Sequence, residues 1–203
     1  MRPTCSRCLR PLALCVCAGL VPVEARTRVV LLQHPREARL AICSAWLARL
    51  ALVRAELHRG VRFADHPRIQ ELCRTPGAAL LFPGPDAAPA ASRADRPPSV
   101  LFAVDGTWHQ AERMVRGDPL LASLPRLSVL PDGAAGYGAL RREPADHCLS
   151  TLDAVALALG ALERDPARFE PMRAAFRRMV ALQLECARGA RRSPRHRAGW
   201  TPD

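Results

Sequence analysis

The chain has 203 residues, 49% of them hydrophobic and 24% charged, a composition that excludes a disordered or fibrous protein and leaves room for one catalytic-sized domain and a small appendage. All 30 positions that hold Lys or Arg hold Arg, against 19 acidic residues, giving a formal net charge of +11 and a pI near 10.7. Such a surface points to a polyanionic partner, because guanidinium groups contact phosphate bidentately and stack on bases; a GC-rich coding bias accounts for the missing Lys but not for the excess of charge.

Met1 to Cys8 is polar and carries no secretory pattern, and the longest apolar run, Ala154 to Leu162, is far short of the ~20 residues a membrane span needs. A cytoplasmic, reducing setting is expected, with no membrane contact and no obligate protein partner evident. The eight cysteines are then thiols or metal ligands rather than disulfides. Residues 1–24 read as a separate knuckle in which Cys5 and Cys8 form one close pair and Cys15 and Cys17 another, with a short turn between them. That spacing predicts four thiolates around one tetrahedral ion, structural zinc first and an iron–sulfur cluster as its rival. A closed thiolate shell leaves no open coordination position, so the ion holds structure. The C-x-x-x-C-x-x-C pattern of radical S-adenosylmethionine enzymes is absent. Cys43, Cys73, Cys148 and Cys186 stand alone.

Beyond the knuckle, a main domain over 25–190 reads as alternating strands and helices. Arg28 to Leu32 is a β-branched run suited to a buried strand, and Glu37 to Leu50 has Leu40, Cys43, Leu47 and Leu50 at helical spacing. Ala79 to Phe82 and Val100 to Val104 are compact apolar runs bounded by Pro and Gly, as in strands covered on both faces. Leu127 to Leu130 is a further candidate strand. Residues 131–146 carry three glycines and little periodicity, and read as a long loop. Ser150 is placed to cap a helix with Leu152, Val155, Leu159 and Leu162 on one face. Pro166 opens a last helix whose stripe of Phe169, Met172, Phe176 and Met179 reads as core. Residues 191–203 are a basic tail. A mostly parallel α/β sheet follows, and neither G-x-G-x-x-G after a strand nor G-x-x-x-x-G-K-[ST] occurs, so Rossmann dinucleotide binding and P-loop chemistry lose support.

The strand at Val100 runs into Asp105-Gly106-Thr107-Trp108, followed by a possible helix from His109 to Val115. A carboxylate at the carboxyl end of a parallel strand lies on the edge where α/β folds bind ligands, and Gly106 lets a ligand approach the backbone. The bland alternative is a strand-to-helix turn in which Asp105 or Thr107 only caps and Trp108 is core.

With its DGTW at 105–108, the chain resembles the DTW-domain family. CSRCLRPLALCVC at the start, LLQHPRE at 31–37, ALLFPG at 79–84, YGALRREP at 137–144 and STLDA at 150–154 agree with it in order; Asp153 stands where Glu is expected. The resemblance implies a SPOUT-type knotted α/β fold, a topology that residue patterns cannot propose. It also implies a transferase that places the 3-amino-3-carboxypropyl group of S-adenosylmethionine on N3 of a tRNA uridine. Rival readings are a SPOUT-like RNA methyltransferase and a non-catalytic zinc-bearing RNA-binding protein.

By the same resemblance Phe82, Pro83, Gly84, Gly106, Leu149, Ser150 and Thr151 line the donor pocket, and Asp105, Thr107 and Trp108 form the catalytic group. Asp105 either takes the N3 proton or orients the uracil or donor; an unperturbed Asp, at about 3.9, is a poor base for that proton unless burial raises it. Arg141 and Arg142 are candidates for RNA phosphate or the donor carboxylate, with a pair of solvated arginines as the alternative. His34 either touches the uridine site or satisfies a turn.

Overall fold

The computed structural model describes residues 3–39, 43–130 and 149–188. Its sheet contains β1 (Arg28–Gln33), β2 (Ala55–Arg59), β3 (Ala79–Leu81), β4 (Ala88–Pro89), β5 (Val100–Asp105) and β6 (Arg126–Ser128). The order is β2-β1-β5-β3-β6-β4 and every pairing is parallel, as the apolar runs predict.

Side chains alternate across a strand, and the central strands are apolar at nearly every position because both faces are covered. Val29, Leu31, Leu101 and Ala103 pack toward α1 (Ser44–Ala51), α5 (Thr151–Glu163) and α6 (Pro166–Ala187). Val30, Leu32, Leu80 and Phe102 pack toward α2 (Pro67–Cys73), α3 (Trp108–Arg116) and α4 (Pro119–Ala122). The α6 stripe of Phe169, Met172, Phe176 and Met179 is fully buried on the first side. Fully burying side chains of this size stabilises by about 1.5–3 kcal/mol each.

Several boundaries differ from the sequence reading. The helix expected over Glu37 to Leu50 is a single 3-10 turn at Glu37–Arg39 and then α1. Cys43 is extended (φ −66°, ψ 105°) and its Sγ accepts from Trp46 N at 3.4 Å, so the helix restarts there. Its buried face is Leu47, Ala48 and Ala51, while Leu50 is only partly covered. β2 and α2 were not foreseen: β2 is a polar edge strand, AELHR, with one side chain buried, and α2 is seven residues long. β6 stops at Ser128, and Leu130 is almost wholly exposed.

β5 lies between β1 and β3. The chain leaves β1 toward one edge of the sheet, to β2, and leaves β5 toward the other, to β6 beyond β3. The strand order therefore reverses between β1 and β5, and the crevice outside the carboxyl ends on either side of β5 is on the edge where open parallel sheets take ligands.

Candidate active site

Three neighbouring strands end at that crevice. Leu81 to Gly84 leave β3, Ala103, Val104 and Gly106 come from the end of β5, and Ser128 to Leu130 leave β6; with Leu149 and Thr151 at the start of α5 they enclose a cleft of about 390 Å³, behind which Asp105 lies. Small-molecule sites run to roughly 300–1,000 Å³ and are largely apolar with a few polar groups, which describes this one.

The rings of Phe82 and Trp108 are stacked across the cleft wall, centroids 5.6 Å apart and planes 12° apart. Phe82 is buried, but Trp108 is 41% exposed, so it is not a core residue and offers a free aromatic surface. Arg126 lies over the Phe82 ring at 5.9 Å. Three planar groups are thus arranged side by side, an arrangement suited to holding a base or a nucleoside.

Asp105, the last residue of β5, is only 5% exposed. Its Oδ2 accepts from Gln33 Nε2 at 2.9 Å and its Oδ1 from Thr151 Oγ1 at 2.7 Å. Gln33 Oε1 in turn accepts from Arg59 Nε at 3.2 Å. Arg59, Gln33 and Asp105 are in register across β2, β1 and β5, so period-two alternation puts all three on the α5 side of the sheet. A polar chain therefore runs along the carboxyl edge of the sheet and ends at Thr151, a residue of the cleft wall. Gln33 was missed in the sequence: it closes the run VVLL, but nothing local marks it as part of a site.

A family model described as DTW domain matches residues 2–184. The chain belongs to the DTW domain family. The match spans the cysteine segment and the sheet alike. Among curated relatives, tRNA-uridine aminocarboxypropyltransferase 2 of Drosophila melanogaster is 32% identical over 174 residues, 81% of this chain and 68% of that protein. The protein of the same name from Macaca fascicularis is 30% identical over 204 residues, 96% of this chain and 68% of its own. tRNA-uridine aminocarboxypropyltransferase A of Arabidopsis thaliana is 27% identical over 224 residues, 92% and 80% of the two chains. No solved structure matches.

Against this DTW domain the expected site residues separate into groups. Phe82, Pro83, Gly84, Gly106, Trp108, Leu149 and Thr151 do come together around the cleft. Ser150 does not face it: the residue is buried, its Oγ accepts from Asp153 N at 3.0 Å and donates to Asp153 Oδ2 at 2.8 Å, so it caps α5. Asp153, in place of Glu, completes that cap and meets Arg173 Nε at 3.3 Å. Thr107 caps α3 in a reciprocal pair, accepting from Gln110 N and donating its own N–H to Gln110 Oε1. His34 is half-buried behind the turn, with Nδ1 accepting from Arg36 N at 3.2 Å. Arg141 and Arg142 lie outside the described residues.

The Sγ atoms of Cys5, Cys8, Cys15 and Cys17 lie within 4.8 Å of one another, with Cys5–Cys17 and Cys8–Cys15 both at 3.8 Å. A tetrahedral thiolate shell with metal–sulfur bonds of about 2.3 Å has edges of about 3.8 Å, so the donor set and its spacing fit a bound metal. The backbone N–H groups of Cys8 and Arg7 bring the Cys5 thiol down to about 6, while burial and neighbouring thiols push Cys17 upward. The segment is anchored to the main core: Val16 and Leu20 are buried with α1 and α6, and Trp46 Nε1 donates to Arg7 O at 3.3 Å. Among the described residues no helix is long and apolar enough to cross a membrane.

Proposed function

We propose that this chain is a cytoplasmic tRNA-uridine aminocarboxypropyltransferase, moving the 3-amino-3-carboxypropyl group of S-adenosylmethionine to uridine N3 and releasing methylthioadenosine. The observation that carries the reading is the apolar cleft at the carboxyl ends of β3, β5 and β6, walled by the stacked Phe82–Trp108 pair and by Thr151, whose hydroxyl donates to the buried Asp105 behind it. The names of the curated relatives support the substrate class.

In this reaction N3 attacks the donor's γ-carbon, the carbon–sulfur bond breaks, and the electron pair leaves on methylthioadenosine sulfur. The sulfonium is already a good leaving group, so the protein must align donor and acceptor and remove the N3 proton. Phe82, Trp108 and the Gly84 and Gly106 backbones hold the flat groups. Asp105 is too enclosed to meet the uracil broadly, so the proton passes through Thr151: its oxygen takes the N3 proton as its own hydroxyl proton moves to Asp105 Oδ1. Gln33 and Arg59 hold the carboxylate in place. Thr151 also stands at the N-terminus of the thirteen-residue α5, whose partial positive charge suits the donor carboxylate.

The four-cysteine segment holds zinc, which braces the N-terminal module against α1 and α6 and takes no part in the chemistry. On this reading residues 1–24, 25–190 and 191–203 act as knuckle, catalytic domain and basic tail, and the parallel sheet is the centre of a SPOUT-type knotted fold.

The test is incubation of unmodified tRNA with donor labelled separately on the methyl and the carboxyl carbon. Carboxyl label in the RNA with stoichiometric methylthioadenosine is expected. Transfer of methyl label alone would make the chain a methyltransferase, and tRNA binding with no transfer would make it a binding protein.

A further inference from the structure

The Asp105–Trp108 turn has two sides. Gly106 and Trp108 face the apolar cleft, whereas Thr107 faces a second cleft of about 780 Å³ on the other side. The loop after β1 supplies His34 and Arg36 to it, the loop after β2 supplies Arg62, and α3 supplies His109 and Arg113. Among the described residues no carboxylate lines it.

Arg36, Arg62 and Arg113 are exposed, and within the described residues none of the three side chains takes part in an ion pair. Other arginines, such as Arg28, Arg68, Arg116, Arg164, Arg168 and Arg173, do meet carboxylates; what sets these three apart is that they line one cleft together. Three guanidinium groups brought to one cleft from three elements, with no carboxylate among the described lining residues, raise the local potential for an anion with several separated charges. A polyphosphate strand has that form, and a single small anion would leave most of the space empty.

We infer that this cleft seats the phosphodiester backbone of the acceptor RNA beside the target nucleotide. Arg36, Arg62 and Arg113 bind phosphates there, and the base passes over the Thr107 side of the turn to reach Trp108. The inference rests on the transferase reading for the identity of the RNA as tRNA, but it concerns binding and can be tested without turnover.

Equilibrium binding of tRNA is measured over a series of salt concentrations for the full chain, for Arg36→Ala, Arg62→Ala and Arg113→Ala singly, and for the triple variant. Each single change is expected to weaken binding about three- to tenfold and to reduce the slope of log K against log salt by about 1, and the triple by about 2 to 3. S-adenosylmethionine binding by calorimetry and the thermal melt stay at wild-type values, which excludes misfolding. The triple Arg→Lys variant is expected to recover part of the affinity, because it keeps charge and loses bidentate geometry. Arg93→Gln with Arg96→Gln, exposed arginines elsewhere on the surface, is the control. An unchanged slope in the triple Ala variant overturns the proposal, as does an equal loss in the control pair. If wild type binds tRNA through these arginines yet releases no methylthioadenosine, the cleft stands and the transferase reading falls.

Discussion

The hydroxyl of Thr151 donates to Asp105 Oδ1 at 2.7 Å, so the first residue of α5 is tied to the last residue of β5. Forty-six positions separate them in sequence, yet this bond ties a helix N-terminus to the sheet and orients a hydroxyl of the cleft wall. Thr151→Val keeps the shape and takes one hydrogen bond from a buried carboxylate, at a cost of about 1–3 kcal/mol. In a chain of this size that lowers the melting temperature by about 2–4 °C per kcal/mol. Turnover is expected to fall at least about a hundredfold, equivalent to about 2.7 kcal/mol of barrier, and Thr151→Ser to restore most of it. Wild-type turnover in Thr151→Val would remove the hydroxyl from the proton path.

Asp105→Asn addresses the other end of the same bond. The amide is nearly isosteric: its oxygen can still accept from Gln33 Nε2, which turns its NH2 toward the Thr151 hydroxyl, where it can donate but cannot take up a proton. Methylthioadenosine release in single-turnover assays is expected to fall by about two orders of magnitude or more, while equilibrium binding of tRNA and donor stays within a few-fold of wild type. A variant with near-normal single-turnover rates would take Asp105 out of the mechanism.

The metal prediction is compositional as well as thermal. Purified protein should contain about one zinc per chain, and a strong chelator should lower the melting temperature without abolishing folding, because Val16 and Leu20 still anchor the segment in a core that the sheet helices complete. Cys8→Ser, at the buried ligand, should reproduce the chelator's effect and lower bound zinc. Iron with a visible absorbance band would reverse the assignment.

How much of this was legible beforehand depends on what each residue does. The central strands announced themselves because both faces are buried, so VVLL and VLFAV are unbroken apolar runs, and the α5 and α6 stripes were plain for the corresponding reason at helical period. β2 was silent because an edge strand satisfies its polar side chains in water and in ion pairs: Glu56 meets Arg28 and Arg68. The cleft wall was legible where a motif sits at a strand end, as at Phe82 to Gly84 and Gly106. Ser150 and Thr107 belong to the same motifs but spend their oxygens on helix caps, and no local pattern separates a capping hydroxyl from a ligand-facing one. Gln33 could not be assigned because its partners, Asp105 and Arg59, are brought to it only by strand register.

The edge-strand network predicts an acid-side stability loss. Glu56 is held down at about 2, chiefly by hydrogen bonds from Arg68, with His58 and Arg28 adding to it against the cost of burial. A carboxylate lowered on folding contributes stability that is complete above its unfolded value, near 4.5, and that disappears as pH falls from there toward 2. The group is partly exposed and its network is open to solvent, so the contribution is at most about 1 kcal/mol and shrinks with salt. Melting temperatures measured from pH 6 to pH 2.5 should therefore fall more steeply for wild type than for Glu56→Gln. Parallel curves for the two proteins would show that the network adds nothing.

Gly160 gives a prediction of a different kind, because its cost comes from space rather than charge. It lies in α5 where the chain turns into α6, and a Cβ built there would stand 2.9 Å from Pro166 Cα and 3.3 Å from Pro166 Cβ. Neither neighbour is the end of a flexible side chain; Pro166 is fixed at the first turn of α6, and Asp165 N donates to Gly160 O at 3.0 Å across the same corner. Gly160→Ala would gain helix propensity of about 1 kcal/mol in an open helix, but here it must push α6 off α5, and strain of this type costs about 1–3 kcal/mol. The net expectation is a lower melting temperature, with tRNA affinity retained because no residue of the corner lines the arginine cleft. A melting temperature at or above wild type would mean that the α5–α6 corner yields more readily than its backbone contacts imply.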